Sequence, residues 1–247
     1  MAERTRTRRE LLGDIGRGAL LASLGGTLAS ELGLGVGRAF AEEAPPLSFG
    51  ALEPLVVLLQ ETPVDRLLPA LVERLRTGTD LRTLVAAGAL ANARTFGGED
   101  YVGFHSMMAL GPSYRMALES SGKASALPAL KVLYRGSARM QEVGGRRHEV
   151  LRAVASSSEA GAPPPDDSIR GAVRAGDVAG AERALASLAV GSPSRALDGL
   201  LLVVEDDAEV HRVALAYRSW DLLDVVGAEH AATLLRQSVH YLSLIHI

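Results

Sequence analysis

The chain contains no cysteine. That absence excludes disulfides, thiolate metal sites, iron–sulfur clusters, covalently attached c-type haem and cysteine nucleophiles in one step. Aromatic residues supply only 4% of the sequence, and β-branched runs are rare, so packed strands have little to build on. Ala and Leu abound instead, the composition of helices packed closely through small side chains. Positive charge is also in short supply. Of 26 basic and 29 acidic residues, six and four lie within residues 1–41, leaving 20 basic and 25 acidic in the remainder. A mildly acidic body argues against a nucleic-acid groove and against adhesion to anionic membrane surfaces.

Familiar catalytic patterns are missing as well. There is no Gly-x-Ser-x-Gly elbow, no Gly-x-Gly-x-x-Gly and no phosphate loop. Glu205-Asp206-Asp207 reads as an acidic cluster complementing a helix start, without the further oxygen ligands a calcium loop requires.

What is present begins at the N-terminus. Thr7-Arg8-Arg9-Glu10-Leu11-Leu12 is a twin-arginine core, followed by a weakly apolar Gly- and Ala-rich stretch from Ile15 to Val36. Ala39-Phe40-Ala41 then offers a small-x-small cleavage site. Leu11 and Gly13 stand where an aromatic and a lysine are common in such signals. Repeated glycines and Glu31 make the stretch a poor membrane-spanning helix. Residues 1–41 therefore resemble a twin-arginine signal peptide. That implies transient contact with the twin-arginine translocation machinery, export of a folded protein to the periplasm or beyond, and no stable membrane anchor after cleavage. At the other end, Leu242-Ser243-Leu244-Ile245-His246-Ile247 resembles the translation of a sequencing-adapter end. Residues 242–247 are expected to be foreign, with the natural chain continuing past Tyr241.

Between these ends the periodicity is helical, with regular start and stop signals. Residues 42–48, with Pro45-Pro46, read as a linker. Helices are expected over 50–60; from Pro63, capped by Thr62, to Arg76; from the Thr79/Asp80 cap to Arg94; over Glu99 to Glu119 with an interruption at Gly111-Pro112; and over Ser125 to Val143. A Ser/Pro-rich segment at 155–167 separates this first helical half (42–154) from a second (168–241). There, helices are expected over 168–175, 179–190, 194–204, Asp206 to Val226 and Ala228 to Tyr241. Ala175-Gly176-Asp177-Val178-Ala179-Gly180 resembles the hairpin of helical-repeat proteins. The fold class is all-α, a multi-helix bundle or a short helical-repeat stack.

Histidines are the residues that could carry chemistry. His105 lies among Val102, Phe104, Met107, Met108 and Leu110, which predicts a helix buried all round. Its ordinary role would be a core histidine bonded to a backbone carbonyl or to a neighbour such as Tyr101. His211, Arg218 and Asp221 share a polar strip at i, i+7 and i+10, between an apolar face of Val213, Ala216, Trp220 and Leu223 and another of Leu215 and Leu222. His230, Gln237 and His240 repeat the same offsets, with Thr233 between, and the ordinary reading of both strips is a solvated face. Together His105, His211, His230 and His240 form the one set that could hold a metal ion or non-covalent haem, with Asp221, Asp224 and Glu229 near in sequence. His148, among charges after Gly144-Gly145, reads as a surface residue.

Two stretches carry a resemblance. Gly98 to Leu110, and His211 to Tyr241 with Tyr217-Arg218-Ser219-Trp220-Asp221, are similar to segments of uncharacterised bacterial proteins with twin-arginine signals. The Phe104-His105 phrase also resembles the questin-oxidase-like family, which implies oxidative chemistry with His105 as the position carried over. Two functional readings follow: an exported helical oxidoreductase with histidine-bound metal or haem, or a non-catalytic helical module that binds a protein partner.

Overall fold

The computed structural model describes residues 44–122, 124–154 and 164–244. The expected signal peptide, most of the expected linker and residues 245–247 lie outside the described residues. The chain forms an all-α multi-helix bundle: α1 (Glu53–Glu61), α2 (Val64–Arg76), α3 (Leu81–Phe96), α4 (Tyr101–Glu119), α5 (Leu127–Glu142), α6 (Ser168–Arg174), α7 (Val178–Gly191), α8 (Pro193–Val204), α9 (Val210–Asp221), α10 (Leu223–Val226) and α11 (Ala231–Leu244). None of the described helices is long and apolar enough to cross a membrane.

Local chemistry accounts for most boundaries. Asp80, Asp100 and Asp177 each accept a backbone N–H three residues on, at 2.6, 2.7 and 2.8 Å, and so cap α3, α4 and α7. Gly97 ends α3 in the left-handed region at φ +57°. Thr62, by contrast, does not cap α2; Pro63 occupies that place without a side-chain bond. Residues 45–47 are docked, not free as a linker would be: Ala153 N–H donates to the Pro45 carbonyl at 2.9 Å, and Leu47 packs on the core.

Three further expectations give way to packing. Pro112 does not interrupt α4, which runs through it; α3, α5 and α9 all pack along α4 and outweigh the missing backbone donor. The helix expected from Asp206 starts at Val210 and breaks at Leu222, because Asp206 is held in the preceding turn by Arg170 and Arg174. The helix buried all round is α3, whose residues Leu84 to Phe96 are buried without a break. On α4, Tyr101 and Met116 stand out at 68% and 57% exposure.

Residues from Ala44 on make one compact unit with two apolar clusters. The first gathers α1 to α5 and takes in Leu222, Leu223, Val226, Ala231 and Leu234 from beyond the Ser/Pro-rich segment. The second gathers α6 to α9 with Leu235, Val239 and Leu242 of α11. Helix α11 thus contributes Leu234 to one cluster and Leu235 to the other. Its polar strip is buried, not solvated: Gln237 is fully covered and Thr233 nearly so. Burial on both sides obliges that strip to find partners within the protein.

Arg94, at the end of α3, is 1% exposed and holds the first cluster to its flanks. Its guanidinium reaches Glu53 at 2.7 Å, Gln60 at 2.6 Å and Glu149 at 3.1 Å. Glu149 sits beside the exposed His148 in sequence yet is almost wholly buried.

Candidate functional site

The structure brings His105 and His211 together. Their ring centres lie 5.2 Å apart at an interplanar angle of 71°. His105 stands on the second turn of α4 and stacks on Phe104 at 4.5 Å and against Tyr101 at 4.4 Å. His211 stands on the first turn of α9 and meets Phe104 edge-on at 5.6 Å. Tyr241, from α11, closes the cluster by meeting Phe104 at 5.1 Å. Burial raises the Tyr241 hydroxyl pKa, and the Glu209 carboxylate adds to the rise.

Each imidazole of the pair is oriented through Nδ1. His105 Nδ1 lies 2.7 Å from the Tyr101 carbonyl oxygen, and His211 Nδ1 lies 2.8 Å from Glu209 Oε1. Both partners can only accept, so both Nδ1 atoms carry the proton and donate it. Glu209 also accepts from the His211 backbone N–H at 2.9 Å, tying the His211 ring to the cap of α9. Backbone bonding of His105 through Tyr101 is the ordinary role expected for it. The polar strip of α9 is half-buried along the seam with α4. Asp221 takes a bidentate contact from Arg115 of α4 at 3.0 and 2.7 Å, and Arg218 approaches it at 3.5 Å.

His240 is placed differently. Its Nδ1 lies 2.8 Å from Glu99 and its Nε2 3.0 Å from Glu182, which also receives Arg236 at 3.1 Å. Burial alone would lower the His240 pKa, but hydrogen bonds to Glu182 and Glu99 overcome it and hold the pKa at about 9. The ring is an imidazolium with both N–H groups spent. His230 packs edge-on to Phe49 at 5.9 Å, and burial lowers its pKa against the weaker pull of Glu229. Asp221 is engaged by arginines, and Asp224 and Glu229 are exposed. Among the described residues, no group of three or more His, Asp or Glu side chains is positioned to share a metal ion.

Asp221 also lines a cleft of about 500 Å³ between the start of α8 and the α9–α10 end, together with Pro193, Ser194, Tyr217, Trp220 and Asp224, among others. Sequence reasoning missed this cleft, and it missed Glu209, Glu99 and Glu182. Glu209 had a local signal, an acidic residue two positions before His211 at a helix start. The other two lie 141 and 58 residues from His240, a separation that no local pattern bridges. Compared with protein-family models, curated proteins and solved structures, the chain matches none.

Proposed function

We propose that this is an exported helical binding module, which engages a protein partner through the outward faces of α4 and α9. The observation that carries the reading is the placement of exposed apolar side chains. Six of the eleven large ones among the described residues sit on these two helices: Tyr101, Met116, Leu118, Val210, Val213 and Tyr217. Val210, Val213 and Tyr217 fall at i, i+3 and i+7, on one face of α9. Tyr101 and Met116 share a face of α4. A surface rich in Tyr and Met is characteristic of the centre of a protein interface, and a concentrated apolar patch marks interaction more often than chance exposure does. Export is supported by the twin-arginine core, by Ala39-Phe40-Ala41, and by a compact unit that begins at Ala44.

A photoreactive residue installed at Val213 tests the partner reading in the producing cell. The expected outcome is a discrete protein adduct that is absent when the same residue is placed at exposed Glu73 on α2. Equal labelling at both positions, or none at Val213, would sink it. The oxidoreductase reading retains one specific support, the His105–His211 pair.

A further inference from the structure

We infer that His105 and His211 form a two-imidazole site for a divalent first-row transition-metal ion, with each ring ligating through Nε2. The inference stands apart from the partner-binding reading, since either can fail alone. It starts from the tautomers. With Nδ1–H of His105 donated to the Tyr101 carbonyl and Nδ1–H of His211 donated to Glu209, each Nε2 of a neutral ring keeps its lone pair. Neither Nε2 makes a hydrogen bond among the described residues. An outer acceptor on one ring nitrogen is the arrangement that fixes orientation and raises basicity at the other in metal-ligating histidines.

Distance agrees with sharing. Two imidazoles on one tetrahedral ion, with metal–nitrogen distances of about 2.0–2.1 Å, hold their ring centres roughly 5 Å apart; these lie at 5.2 Å. The rings come from two helices clamped together by the bidentate Arg115–Asp221 contact. Phe104 and Tyr101 each contact both imidazoles, and Tyr241 backs Phe104. Glu209 adds a carboxylate beside His211, while Arg212 is turned away to the Asp207 carbonyl and carboxylate. Imidazole nitrogens select Cu, Zn or Ni over the oxygen-seeking Mg and Ca. Two protein ligands leave the remaining coordination positions of the ion to water or an incoming group.

The experiment uses the untagged full chain, stripped with chelator and titrated calorimetrically with Cu²⁺ and then with Zn²⁺ alone. One equivalent of Cu²⁺ is expected to bind, at least tenfold more weakly after His105→Ala or His211→Ala and unchanged after His148→Ala at the exposed histidine. Glu209→Gln, which keeps an acceptor for Nδ1, is expected to weaken binding less than either histidine deletion. Electron paramagnetic resonance of the Cu²⁺ complex of the unmutated chain should show coupling to two imidazole nitrogens, a readout that does not depend on a variant folding. Unchanged affinity in both histidine variants, coupling to fewer than two imidazoles, or no stoichiometric binding would each overturn the site.

Discussion

His240 is held between two carboxylates whose hydrogen bonds outweigh the cost of burying its charge. The consequence is a defined dependence of stability on pH. The folded-state pKa, about 9, lies above the unfolded value of about 6.5. The imidazolium's contribution is therefore complete below about pH 6.5 and is lost as pH rises through 9. Urea unfolding between pH 6 and 10 is expected to show stability falling over that window, by on the order of 3 kcal/mol at most. His240→Gln is expected to flatten the profile, and a variant that keeps the full slope would show that other groups govern it. Arg94 solves a similar problem with a permanent charge, gathering Glu53, Glu149 and Gln60 around one buried guanidinium.

At the scale of helices, close approach decides which substitutions the bundle tolerates. The turn between α3 and α4 passes directly over α11 at Gly98, whose φ is +89°. A Cβ there would run into the Gln237 carbonyl oxygen, which is backbone and cannot swing aside. Gly98→Ala combines an unfavourable φ with that clash, and is expected to cost about 2–4 kcal/mol in chemical denaturation. A cost below 1 kcal/mol would mean that α11 can shift away from this turn. Gly111 plays a milder version of the same part: its missing side chain leaves room for Asp221, 3.0 Å from where a Cβ would stand. That space lets α9 come close enough to α4 for Arg115 to grip Asp221, and the same seam brings His105 up to His211. The continuity of α4 through Pro112 belongs to this account, since the helix is held along its length by neighbours rather than by its own backbone bonds.

For the molecule as a whole, two features join the proposals. Helices that follow the Ser/Pro-rich segment supply side chains to both apolar clusters, so the first half does not complete its core alone. A protein whose first core closes only when distant segments meet suits a route that carries already folded cargo. The twin-arginine reading makes a direct prediction. Arg8→Lys with Arg9→Lys is expected to leave the full-length precursor inside the cell, while the unmutated chain appears outside it, shortened by about 41 residues. Fractionation with mass determination checks this, and unimpaired processing of the double variant would refute it. The α4–α9 face would then meet its partner outside the cytoplasm.

The sequence by itself determined the class of structure and most helix ends, because those depend on local chemistry. Asp80, Asp100 and Asp177 cap helices through bonds three residues long, and Gly97 stops one through its own φ. It also marked His105 and His211 as residues to watch. Periodicity showed which side chains share a face, but not what lies opposite that face. Hence the strip on α11 reads as solvated and is buried, while Val213 reads as core and is 44% exposed. Only the tertiary structure decided that His105 would meet His211, that His240 would be taken by Glu99 and Glu182, and that His230 would lie against Phe49. Those pairings are set by how whole helices pack, and packing is the sum of many weak apolar contacts between segments far apart in the chain.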